Sequence, residues 1–167
     1  MTPEALLSYL DELGIEHATV EHEPVFTVVE AQRIRSLPGG HSKSLFLKNK
    51  KGRMWLVVVA EDQKVDLLVL AATLEANRLS FGSPERLMQY LGVIPGAVTP
   101  FAVINDREQE VAVSVSAHLL ANEQLNFHPL TNDRTTSIKS VDLLRFLEST
   151  GHEPRILEQA EIAPAGD

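Results

Sequence analysis

Cysteine is absent from all 167 residues. That excludes disulfides, a thiolate nucleophile and Cys-ligated zinc, and the expected compartment is the cytosol. No apolar run approaches the roughly 20 residues of a membrane-spanning helix, so no membrane partner is expected. Lysine and arginine are missing from residues 1–30, which hold seven acids. The opening MTPEALLSYLDELG therefore reads as an acidic amphipathic helix and not as a signal peptide. A Walker loop, G-x-G-x-x-G, H-E-x-x-H and G-x-S-x-G are missing as well. The six histidines, at positions 17, 22, 41, 118, 128 and 152, stand at no metal-ligand spacing. Neither a metal nor a cofactor is expected.

What is present is an ordinary globular composition, 44% hydrophobic and 23% charged, in a length that suits one domain with a sizeable core. There is no internal repeat and no linker. The net charge of −8 argues against a protein coated in nucleic-acid-binding surface, but the charge is unevenly spread. Residues 33–53, RIRSLPGGHSKSLFLKNKKGR, hold seven of the fifteen Lys and Arg and no acid. Such a patch is either a solvated loop and hairpin or a contact for a polyanion.

Helix starts are well marked. Thr2-Pro3-Glu4 opens one helix, which Gly14 ends. Thr27-Val28-Val29-Glu30 has capping-box spacing and opens another through about Leu37, broken by Pro38-Gly39-Gly40. A hairpin of strands 43–49 and 53–60 follows, and the continuous run Val57-Val58-Val59 predicts a strand covered on both faces. Then come a helix over 66–76, a short strand near Leu79–Phe81, and a helix capped at Ser83-Pro84-Glu85 and closed at Gly92. FAVIN (101–105) and VAVSVS (111–116) read as a second hairpin, LNFHPL (125–130) as a strand after a helical turn at 117–121, and TNDRTTS as a polar loop. The last helix runs over 140–150, and residues 158–167 read as a frayed tail. The class is α/β with a mixed sheet.

Three stretches carry candidate chemistry. Lys43 is in register with Leu45 and Leu47 on one face of its strand. A lysine there either snorkels to water from the strand end or faces a pocket whose ligand is negative. Gly96-Ala97-Val98-Thr99-Pro100 is a stiff loop able to present backbone N–H groups at close range. Its alternative is a plain connector. His128, at the end of an apolar strand, precedes Thr131, Asn132, Thr135 and Thr136. It is either a hydrogen-bonded structural histidine or part of a site.

The segments GGHSKSLFLKNKKGRMWLVVV, LGVIPGAVTPFAVIND and LNFHPLTNDRTTSI, in this order and spacing, together resemble the prolyl-tRNA editing (YbaK-like) family. The likeness runs from about residue 4 to residue 157, nearest to the free-standing deacylases that clear alanine from proline-specific tRNA. It implies a single editing domain over 1–157 with a tail at 158–167, and a curved, mixed, mostly antiparallel sheet surrounded by helices. It also implies hydrolysis of the ester in mischarged Ala-tRNA(Pro), with tRNA as partner and prolyl-tRNA synthetase as a second one.

Residue by residue, the resemblance places Lys43 on the family's pocket lysine, Gly96 and Pro100 on the ends of its G-x-x-x-P loop, and His128 on a histidine that shapes the alanine pocket. Lys43, Gly96 and Ala97 are then the catalytic candidates, and Ser44, Pro100, His128 and Thr136 the substrate-binding ones. Arg33, Arg35, Lys48, Lys50, Lys51 and Arg53 are the tRNA-binding candidates. The chain departs from the subgroup at Ser44, where asparagine is usual. Two other readings stand beside the first: a deacylase of Ser- or Cys-charged tRNA, and a non-hydrolytic regulator that binds tRNA or an amino acid.

Overall fold

Short polar side chains start the helices as their sequence predicts. The Thr2 hydroxyl accepts from the Ala5 amide ahead of α1 (Pro3–Glu12), Asp66 accepts from Leu68 ahead of α2 (Leu67–Thr73), and Ser83 accepts from Arg86 ahead of α3 (Pro84–Leu91). Each satisfies an amide that the first helical turn leaves open. Gly92, at φ 66°, closes α3 in the left-handed conformation glycine adopts without penalty. The structure, a computed structural model, describes residues 1–24 and 37–164. The helix expected to open at Thr27, with Arg33 and Arg35 on it, lies outside them. No helix among the described residues is long and apolar enough to cross a membrane.

Eight strands form one mixed sheet: β1 (His17–Glu21), β2 (Gly40–Lys48), β3 (Met54–Ala60), β4 (Ser80–Phe81), β5 (Val111–Ser116), β6 (Gln124–Phe127), β7 (Arg134–Lys139) and β8 (Arg155–Leu157). Their order is β1-β7-β6-β2-β3-β5-β8, with β4 added beside β2. Four pairings are antiparallel (β1·β7, β2·β3, β2·β4, β6·β7) and three parallel (β2·β6, β3·β5, β5·β8). The helices α4 (Ala117–Leu120) and α5 (Ser140–Ser149) follow β5 and β7.

The run Val57-Val58-Val59 does what continuous hydrophobicity predicts. Every residue of β3 is buried. Leu56 and Val58 enter a large core with Leu6, Leu10, Phe101 and Phe146, while Trp55, Val57 and Val59 enter a smaller one with Leu70, Leu157 and Ile162. Phe101 meets Phe127 and Phe146 edge to face, with centroids 5.7 and 5.3 Å away, which joins the loop after α3 to β6 and α5.

The expected second hairpin is not formed. Pro100–Asn105 is a 3-10 helix, begun by Pro100 and capped by the Thr99 hydroxyl. An unbroken apolar run has no period, and a buried turn and a buried strand then read alike. β5 instead lies parallel to β3 and β8. The polar loop over 131–137 is also corrected: Arg134–Lys139 is a strand whose Thr136 and Ile138 are buried. β1 and β8 have no counterpart in the sequence expectations. Residues 158–163, expected to fray, are docked. Gln159–Glu161 is a 3-10 turn with a capping box, and Ile162 and Ala163 behind it are buried.

Candidate functional site

β2 has β3 along one edge over Ser42–Lys48. On its other edge β6 pairs only with Gly40 and His41, and β4 only with Leu47 and Lys48. Among the described residues, the stretch from Lys43 to Leu45 therefore has a strand on one side only. The sheet opens there, and its backbone groups face the gap.

Register decides which side chains look into that opening. Lys43 pairs with Val59 and His41 with Asn126, so His41, Lys43, Asn126 and, beyond it, His128 belong to one face. Lys43 and His128 each stand two residues past the last bonded β2·β6 pair. Lys43 is half-buried and has neither ion pair nor hydrogen bond among the described residues. A half-buried ammonium without a partner is costly, which leaves it available to an anion. Ser44 points to the opposite face, opposite Val58, and its hydroxyl is also unpartnered among the described residues.

β6 ends at Phe127 and not at Leu130. Leu130, at φ 67°, turns the chain and donates its amide to the His128 carbonyl, so the two residues do not share a strand face as their spacing predicts. His128 is half-buried, and its Nδ1 donates to the Arg134 carbonyl at 2.9 Å. Its imidazole is held below the ordinary histidine value, chiefly by burial and secondarily by nearby His22, against the carbonyl bond that favours the charged form. The His22 ring lies 6.2 Å from that of His128. His22 is fixed at both nitrogens, Nδ1 on the Glu23 carbonyl and Nε2 on the Thr135 hydroxyl, each at 2.8 Å.

The glycine-proline loop packs against the segment that follows His128. A Cβ on Gly96 would meet the Asn132 amide at 3.3 Å, so glycine lets Pro95–Ala97 approach the chain after His128. Ala97 corrects the expectation of two free amide donors: its methyl is buried and its N–H is spent on the Ile94 carbonyl at 2.9 Å. Pro100 is buried at the foot of the loop. Thr136 is corrected too. It is fully buried opposite Phe127, its hydroxyl 2.8 Å from that of Thr19, on the core face. Its neighbour Thr135 is the one on the site face.

Asn126 was not anticipated. It is 5% exposed. Its Nδ2 donates to the carbonyls of Pro38 at 2.9 Å and Gly40 at 3.3 Å, and its Oδ1 accepts from the Ser137 hydroxyl at 2.6 Å. Gly39 and Gly40 permit this closeness, since Cβ atoms there would stand 2.8 Å from the Gln124 carbonyl oxygen and 2.7 Å from the Asn122 amide. The approach to Lys43 is thereby tied to β6.

The ends of β2 differ in charge. At its start a cavity of about 580 Å³ is lined by His41, His118 and Asn122 together with the acids Glu61 and Asp62. At its far end the turn Asn49–Gly52 is built by Asn49 Oδ1, which accepts from the Lys51 and Arg53 amides. Lys50 and Lys51 are exposed on that turn, Lys48 is half-buried beside it, and Arg53 lies 5.3 Å above the Trp55 ring. No cluster of metal-ligating side chains occurs among the described residues.

Residues 22–146 match the model of the aminoacyl-tRNA editing domain. The chain is 36% identical over 157 residues to the prolyl-tRNA editing protein ProX of Acetoanaerobium sticklandii, with 93% of this chain and 96% of that protein covered. It is 25% identical over 152 residues to the multifunctional Ser/Thr-tRNA deacylase ProXp-y of Escherichia coli K12, covering 89% of each. A solved structure described as a candidate trans-editing enzyme for prolyl tRNA synthetase superposes with a TM-score of 0.72 at 21% identity, over 93% of this chain and 94% of that one.

Proposed function

The chain belongs to the aminoacyl-tRNA editing domain family and is an aminoacyl-tRNA hydrolase; from that premise we propose that its substrate is alanine mischarged on tRNA(Pro), removed in trans. The observation that carries the reading is Lys43, a half-buried cation without a partner among the described residues, at the one-sided stretch of β2. In this reading its ammonium holds the phosphate or ribose end of the tRNA 3′ terminus. An ammonium has no lone pair with which to take a proton, and the substrate's α-ammonium would repel it from the reacting carbonyl.

The chemistry asks little of the protein, because aminoacyl esters are activated. Water adds to the ester carbonyl, the bond to the ribose oxygen breaks, and that oxygen leaves with a proton. The ribose's own free hydroxyl helps to deliver the water, so no Ser or Cys nucleophile is needed. Gly96 supplies the backbone N–H for the developing oxyanion, a role that the occupied N–H of Ala97 cannot share. The domain spans 1–157, and Ile162 of the segment after it packs into the smaller core. Lys48, Lys50, Lys51 and Arg53 take tRNA phosphates, with prolyl-tRNA synthetase as the source of the mischarged substrate. Lys48 lies five residues along β2 from Lys43, roughly 17 Å at 3.3 Å per residue.

His128 sets the size limit in this reading, closing the pocket against proline while alanine fits. Excluding the larger group is the easy direction; the reverse discrimination is worth only about 1–3 kcal/mol. A serine substrate is the second reading, favoured by the departure at Ser44, where the resemblance leads to asparagine, and by the name of the Escherichia coli relative. Purified protein offered Ala-, Ser- and Pro-tRNA(Pro) tests both readings. Fast release of alanine with proline retained is the expected result. Preferential release of serine would favour the second, and release of none would refute both.

A further inference from the structure

His128 has its protons assigned by its neighbours. A carbonyl oxygen only accepts, so the 2.9 Å contact between Nδ1 and the Arg134 carbonyl places an N–H on Nδ1. In the neutral ring Nε2 then carries a lone pair, and it has no donor among the described residues. His22, the ring beside it, cannot serve. Its Nδ1 is committed to the Glu23 carbonyl, its Nε2 to the Thr135 hydroxyl, and the rings lie 6.2 Å apart. A half-buried imidazole nitrogen whose lone pair is unused among the described residues is open to a donor on a bound ligand.

Resting on the deacylase reading, we infer that His128 Nε2 accepts a hydrogen bond from the α-amino group of the aminoacyl ester. His128 is thereby a specificity-determining residue for a free amine as well as a size limit. The end of the substrate that carries the ester has two charged parts, a phosphate and an ammonium. Lys43, on the same face, suits the phosphate and repels the ammonium. The amine therefore belongs on the His128 side of the opening. A carboxylate there would accept from the amine but would also draw in Lys43 and neutralise it. A neutral imidazole acceptor binds the amine and leaves Lys43 free. Both the ammonium and the free amine carry N–H, so the bond survives loss of the ammonium's extra proton.

The test compares Ala-tRNA(Pro) with propionyl-tRNA(Pro), in which hydrogen replaces the amino group and nothing is added in bulk. Each enzymatic rate is divided by the same ester's uncatalysed hydrolysis rate, which removes the amine's activation of the ester. The wild-type chain is expected to prefer the alanyl ester by about 10- to 100-fold, the range of a hydrogen bond to a charged group. His128→Phe keeps a ring and loses the acceptor, so the preference should shrink to about twofold or less in a chain whose thermal melt is still cooperative. Equal wild-type rates on the two esters overturn the inference while the deacylase reading stands, and this arm needs no variant. A full preference retained by folded His128→Phe overturns it as well. Hydrolysis of neither ester defeats the deacylase reading and this inference with it.

Discussion

The side-chain amide of Asn126 donates to the carbonyl of Pro38 at 2.9 Å, across 88 residues of sequence. With the second bond, to Gly40, it fixes the chain entering β2 three residues ahead of Lys43. Replacing Asn126 by aspartate keeps the shape but removes both N–H donors and sets a carboxylate against two carbonyls. We expect stability to fall by about 1–3 kcal/mol, with a matching loss of deacylation, whereas Ser137→Ala, which leaves the two amide bonds intact, costs about 0.5–1.5 kcal/mol. Urea denaturation with single-turnover assays on both variants checks this. An Asn126→Asp protein as stable and active as wild type would remove the tether from the account.

Lys43→Ala separates function from fold. The ammonium has no partner to lose among the described residues, so its removal should leave the melting temperature unchanged or raise it. Deacylation should fall by about 10- to 100-fold through loss of a charge-assisted contact to the tRNA end. A folded variant with near wild-type turnover would show that Lys43 merely reaches into water.

How much of this could be read beforehand depended on whether the signal was local. Lys43 stood out because a cation in an apolar strand is locally odd, and Val57-Val58-Val59 because a doubly covered strand needs a continuous run. Thr135-Thr136-Ser137 looked like turn chemistry, although two of the three are buried and all belong to β7. Their strand character comes from pairing with β1 and β6, which no local window contains. Asn126 and His22 were missed for the same reason: each acquires its role from a partner 86 or more residues away. Thr136 was named in a stretch read as a polar loop, where no strand register separates its face from that of Thr135.

The basic hairpin predicts a salt effect. Lys50 and Lys51 are exposed on a turn that Asn49 holds rigid, so changing both to glutamate alters charge and little else. Affinity for tRNA should weaken, and the slope of log affinity against log salt should flatten by roughly two times 0.7–0.9 if both lysines displace counterions. Equilibrium binding from 50 to 300 mM salt, as a suggested range of roughly sixfold, measures it. An unchanged slope would put the tRNA on another surface.

The lowered titration of His128 has a sign that can be tested. Its folded value lies below the unfolded one, so between the two the unfolded chain binds more protons. The contribution to stability is complete above the unfolded value near 6.5, and it is lost as pH falls through the folded value. Wild type should therefore lose melting temperature on acidification more steeply than His128→Gln, which has no proton to take up. Parallel curves for the two proteins from pH 7.5 down to about 5 would contradict the burial that lowers this group.

His128→Ala distinguishes a sieve from a base. As a sieve the imidazole contributes bulk at a pocket wall, where Pro129 behind it is buried and the Arg134 carbonyl holds the ring in place. Truncation then widens the pocket. Larger amino acids should gain, proline above all, so the ratio of Ala to Pro release should fall even if alanine release slows through loss of the amine contact. As an essential general base the same ring would move a proton for every substrate. Truncation would then lower release of alanine, serine and proline together, by about 10²–10⁴-fold and without reordering them. Rates on the three charged tRNAs, for wild type and for a variant shown to be folded, decide between these. A change in ranking supports the sieve, because loss of a shared proton acceptor has no means of favouring proline over alanine.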